Sequence, residues 1–172
     1  MKNLTIFLLF TFCLTACQQP PEPPKQEAAT VDKQAIEKVA GDLMDRFYQA
    51  NKPDNFSDLN NIMADDGILL GTDPSEVLDK ATMLKTLESY KQDSVMSAMM
   101  ANLTFDVKKR DFSVADDGSQ VIVTDVTQAS FSKLPIRSTA IMKKYDGNWK
   151  IFYTSNGFLI KNDDLAKVDA IF

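Results

Sequence analysis

With 172 residues, 44% of them hydrophobic and 25% charged, the chain has the composition of one globular domain around a single sizeable core. A formal net charge of −5 disfavours non-specific attraction to nucleic acid or anionic lipid headgroups. Histidine is absent, which excludes Ser-His-Asp and Cys-His nucleophile activation, the common zinc sites and any imidazole acid or base.

Residues 1–16 read as a secretory signal peptide, with Lys2, an apolar run from Leu4 to Leu14 and small residues before Cys17. The run is shorter than the about 20 apolar residues that span a bilayer. Leu14-Thr15-Ala16-Cys17 resembles the lipobox of bacterial lipoproteins, which implies a diacylglycerol on the Cys17 sulfur and cleavage just before it. Cys13 would leave with the signal, so the mature chain can form no internal disulfide. Residues 17–31 then form the lipidated cysteine and a tether with four prolines, able to stand a domain roughly 40 Å off the lipid at about 3.1 Å per residue. The expected place is the bacterial cell envelope, with the membrane reached through the lipid anchor. Gln18, where inner-membrane lipoproteins often carry aspartate, points to the outer membrane.

The folded domain is expected over residues 32–172. Ile36, Val39, Ala40, Leu43, Met44, Phe47 and Tyr48 repeat at helical spacing, with Asp32 as N-cap and Pro53 as a stop. A shorter helix is predicted from Asn55 to Met63, capped by Asp54 or Asn55. Asp65-Asp66-Gly67 is expected to end that helix in a turn, Ile68 to Leu70 to form a strand, and Gly71 to Asp79 to turn into a third helix, Lys80 to Gln92. Asp79 is its cap, and Leu78 with Met83 have the spacing of a hydrophobic staple. The methionine-rich stretch 92–102 is taken as a connection.

From Leu103 the period changes to two. Leu103, Phe105 and Val107 alternate, then Phe112 and Val114 on the other parity, which places a bulge near Lys108 to Arg110. The triplet Lys108-Lys109-Arg110 is read as a solvated face. Return strands follow over Gln120 to Phe131, Ile136 to Tyr145 and Trp149 to Ile160, with turns at Asp116-Asp117-Gly118 and Asp146-Gly147-Asn148. The fold class is therefore α+β, with N-terminal helices packed in a curved, mostly antiparallel sheet.

Two stretches, "GILLGTDPSEVLDKATMLKTL" (67–87) and "YDGNWKIFYTSNGF" (145–158), resemble segments of SnoaL-like domains of the nuclear transport factor 2-like superfamily. The resemblance implies a cone-shaped fold with a pocket. Isomerases, cyclases and dehydratases share that fold with proteins of no known activity, so it does not choose a reaction. Histidines that the family often carries on its last strand are replaced here by Tyr153 and Ser155.

Asp65 and Glu76 stand at the first and last positions of a twelve-residue window, but Gly67, Leu69 and Leu70 occupy positions where a calcium loop needs oxygen donors or glycine, so no metal or other cofactor is expected. Turn chemistry accounts for Thr72, Asp73 and Pro74, with Glu76 preceding the helix. The pocket candidates are Asp73, Asp125, Tyr153 and Ser155, and an isomerase-like site would pair Asp125 or Asp73 with Tyr153. The leading expectation is a lipid-anchored module that binds a small apolar ligand or a partner protein without turnover. The alternatives are an isomerase, cyclase or dehydratase with a carboxylate base, and a homodimeric scaffold using the outer sheet face.

Overall fold

A computed structural model describes residues 30–170, so the signal peptide and Cys17 lie outside the described residues. Helix α1 (Lys33–Gln49) starts where Asp32 accepts a hydrogen bond from the Ala35 N–H at 3.0 Å, satisfying one of the free amides of the first turn. Its buried stripe is the expected one except at Val39, which faces solvent. The second predicted helix is instead a 3₁₀ segment, Pro53–Asp58, followed by a single α turn, α2 (Leu59–Ile62). Neither Asp54 nor Asn55 caps it, because Pro53 itself occupies the first turn and supplies no N–H to cap. Phe56, Leu59, Ile62 and Met63 are nevertheless all buried.

Strand β1 (Met63–Leu70) begins earlier than expected and absorbs Asp65-Asp66-Gly67. It pairs in parallel with β6 (Asn148–Phe158), from Met63 opposite Ile151 to Ile68 opposite Tyr153, so the two acids lie on an outward bulge, closed by the buried Gly67, rather than in a helix-ending turn. Gly67 is required there: a Cβ would stand 2.9 Å from the Ala64 carbonyl oxygen and 3.2 Å from that of Ile151. The buried Lys80 pins the bulge from behind, donating to the carbonyls of Asn60 (3.0 Å) and Met63 (3.2 Å) and to Asp65 Oδ1 (2.8 Å).

A tight turn leads to β2 (Val77–Asp79), antiparallel to β1, and to α3 (Lys80–Gln92), capped as expected by Asp79, which accepts from Thr82 N–H at 2.7 Å. The stretch taken as a connection is a helix, α4 (Ser94–Ala101), whose cap Asp93 accepts from the amides of Val95 and Met96. Its methionines and alanines are helix formers, and with only Met100 buried they leave no amphipathic stripe to read in the sequence.

Strands β3 (Phe105–Val114), β4 (Gln120–Ala129) and β5 (Ile136–Tyr145) complete the meander with β6. The sheet has six strands in the order β2-β1-β6-β5-β4-β3, all antiparallel neighbours apart from β1 and β6. Asp146 and Gly147 both adopt positive φ (50° and 80°), the pattern of the tight turn that matches strand twist between β5 and β6. Besides β1, two strands carry one extra residue each. In β3 the pairing slips between Val107 and Lys109, as the parity switch predicts; in β6 it slips between Ile151 and Tyr153, beside Met142 and Ile141 of β5. The core lies between α1 and the concave face of the sheet, with Met44, Leu59, Ile62, Met63, Val121, Val123, Met142 and Ile151 almost fully buried.

Candidate functional site

One rung of the sheet is polar across four strands. Arg110 of β3 stands opposite Asp125 of β4, Asp125 opposite Ser138 of β5, and Ser138 opposite Asn156 of β6. The bulge in β3 puts Arg110 on the inner parity with Phe112 and Val114, and the bulge in β6 does the same for Thr154 and Asn156.

At the closed end of the rung Asp125 is 0% exposed. Its carboxylate accepts from Arg110 Nε and Nη2, both at 2.8 Å, and from the Tyr48 hydroxyl at 2.9 Å. Arg110 spends its remaining reach on the Gly41 carbonyl (3.1 Å) and Asp45 (2.9 Å), both on α1. A bidentate guanidinium with a third donor is the geometry in which a carboxylate tolerates burial. Asp125 in turn raises the Arg110 pKa further above its already high value, chiefly through these hydrogen bonds. Burial first, then the Asp125 charge, pushes the Tyr48 phenol well above its usual range.

At the open end the rung becomes the floor of a cavity of about 400 Å³, which Tyr48, Ser138 and Asn156 line. This is a small-molecule size. The walls are mainly apolar: Leu69 and Leu78 from the β1–β2 hairpin, Met83 and Leu87 from α3, Met100 from α4 and Phe105 from β3. Phe105 also stacks on Tyr48, ring centroids 4.9 Å apart. Thr72, Ser75 and Glu76 from the β1–β2 turn and the half-exposed Phe131 lie around the mouth. Among the described residues, no three His, Cys, Asp or Glu side chains converge as a metal site would need.

Of the four residues singled out from the sequence, the structure brings only Asp125 into this system, and it lies beneath the lining as the partner of Arg110. Asp73 is absent from the lining; it sits in the turn, accepting from the amide and hydroxyl of Ser75, which hold its carboxyl below the usual range. Glu76 is more engaged than expected, since its carboxylate accepts the Asp73 N–H at 3.0 Å. Tyr153 and Ser155 are on the outer face, because the bulge in β6 reverses the parity that Ile151 would have set. The pairing of Asp125 or Asp73 with Tyr153 therefore does not form.

Tyr48, Arg110, Ser138 and Asn156 were not anticipated as site residues. Arg110 could have been found, because the same parity switch that locates the β3 bulge turns it inward.

Residues 41–160 match the model of the SnoaL-like domain. No curated protein matches the chain. Among solved structures, an uncharacterised protein with a cystatin-like fold from Caulobacter vibrioides superposes with a TM-score of 0.61 at 9% identity, over 80% of this chain and 97% of its own. A candidate dehydratase of the nuclear transport factor 2-like family from Streptomyces avermitilis gives 0.56 at 14%, over 74% and 99%. A candidate scytalone dehydratase from Novosphingobium aromaticivorans gives 0.58 at 12%, over 74% and 87%. At these identities the likeness establishes the fold alone.

Proposed function

The chain belongs to the SnoaL-like domain family, and from that premise we propose that its pocket binds a small, largely apolar molecule and does not transform it. The observation that carries this reading is the state of Asp125. A general base must lie within hydrogen-bond reach of the proton it takes from the substrate. Here Asp125 is fully buried beneath the cavity lining, and a guanidinium and a phenol engage both of its oxygens. The Tyr48 proton, which could otherwise stabilise a developing enolate, is committed to the same carboxylate.

Titrating the purified chain with a panel of apolar metabolites and cell-envelope extracts, followed by mass spectrometry of what co-elutes, should yield a saturable ligand recovered chemically unchanged. Recovery of a dehydrated or isomerised product would replace this reading with the enzymatic one. That alternative is favoured by the names of two fold relatives. It would require Arg110 to release Asp125, and Asp125→Asn would then abolish turnover.

We also propose that the domain is held at the bacterial cell envelope, on the outer membrane, by lipid on Cys17. The lipobox-like Leu14-Thr15-Ala16-Cys17 and the proline-rich tether support this. No helix among the described residues is long and apolar enough to cross a membrane. Cys17→Ser should move the protein from the membrane fraction to the supernatant; retention that still needs detergent would contradict lipidation.

A further inference from the structure

The floor of the cavity has a polarity of its own. Asn156 Nδ2 donates to the Leu70 carbonyl at 3.2 Å, and this fixes the amide, since its oxygen would be repelled from that position. Asn156 Oδ1 accepts no hydrogen bond among the described residues. The Tyr48 proton is taken by Asp125, so the phenol presents only a lone pair. Ser138, nearly fully buried, can turn its proton towards that oxygen and still present a lone pair. Cationic donors are missing from the lining, which contains no lysine or arginine, while the nearby Arg110 is held by Asp125, Asp45 and Gly41. The floor therefore offers acceptors without a free charged donor.

We propose that this floor is a seat for a neutral hydrogen-bond donor, and that the ligand is an uncharged apolar alcohol or phenol. Its single O–H is shared between Asn156 Oδ1 and Ser138 Oγ in a three-centre hydrogen bond, and its hydrocarbon body fills the space between α3, α4 and Phe105. A carboxylate of equal size would meet lone pairs, and an ammonium would lose its hydration in a mainly apolar cavity whose buried carboxylate, Asp125, is already neutralised by Arg110. The proposal rests on the binding reading above and adds the chemical class.

The test is a competition at mildly alkaline pH between decanol, decyl methyl ether, decanoate and decylamine for the full chain. Decanol should bind at least about tenfold more tightly than each of the others, the scale of one satisfied buried hydrogen bond. Ser138→Ala and Asn156→Leu should each reduce its advantage over the ether to about threefold or less. Thermal melts identify either variant that fails to fold, and the other then decides. Decanoate or decylamine binding as tightly as decanol, or a preference that survives in the folded variants, overturns the seat. Saturable binding of all four without preference overturns the seat alone, whereas no saturable binding of any removes the binding reading with it.

Discussion

Asp125 and Asp73 are both aspartates near the same cavity, and they are held in opposite ways. Asp125 is bound by side chains from α1 and β3 that lie 77 and 15 residues away in sequence, and it is sealed from water. Asp73 is bound by neighbours two and three residues away, in a turn that water reaches. The first is a tertiary device that exists only when helix and sheet are docked; the second is local chemistry that any similar turn would make. An aspartate's type thus says little about its role until the distance of its partners is known.

Removing a partner should separate the two most sharply. Arg110→Met leaves Asp125 buried without its cation and should cost about 3–5 kcal/mol in urea unfolding. Adding Asp125→Leu should recover most of that loss, because an apolar pair needs no compensation; a double variant as weak as the single one would mean that Arg110 matters through Asp45 and Gly41 instead. Tyr48→Phe should cost roughly 2 kcal/mol, the scale of one hydrogen bond to a charged group.

The same variant has a pH signature. The folded-state phenol pKa lies above its unfolded value of about 10, so its contribution is complete below that pH and is lost progressively above it. Wild-type stability should fall above about pH 10, and Tyr48→Phe should flatten that slope. A remainder is expected from Tyr145, which loss of hydration first, and then its hydrogen bond to Asp66, raise to about 12.

Effects at the turn should be smaller. A Cβ on Gly71 would stand 1.9 Å from a Glu76 carboxylate oxygen and 2.6 Å from its Cβ, so Gly71→Ala must shift the turn, at a cost on the order of 1 kcal/mol. Asp73→Asn should leave the unfolding midpoint and ligand binding unchanged within error. A clear loss of binding would return Asp73 to the site and erase the contrast.

Much of the frame was legible because it is written in local signals. Asp32 and Asp79 cap the helices they precede, Gly118 and Gly147 take the positive φ their turns require, and the apolar parity switch locates the β3 bulge. Asp54 and Asn55 failed as caps because a proline preceded them, and α4 was missed because its apolar residues do not form one face. The site was harder. Its floor is made of residues whose meaning is their cross-strand neighbour, and no spacing announces that Ser138 lies between Asp125 and Asn156. The β6 bulge was invisible for a related reason. The residues it turns inward, Thr154 and Asn156, are polar, while Tyr153 keeps the misleading parity of Ile151.

The two bulges also decide how the pocket tolerates changes in chain length. Deleting one residue from a regular strand moves everything beyond it to the opposite face. Deleting Phe152 would merely straighten β6, since Met142 already faces Ile151 and Ile141 already faces Tyr153. Lys108 has the same standing in β3, where Thr127 faces Val107 and Val126 faces Lys109. These are spare positions: at each, the strand can shorten by one residue while Arg110, Thr154 and Asn156 keep their places, so loss of a codon there would leave the chemistry of the pocket intact.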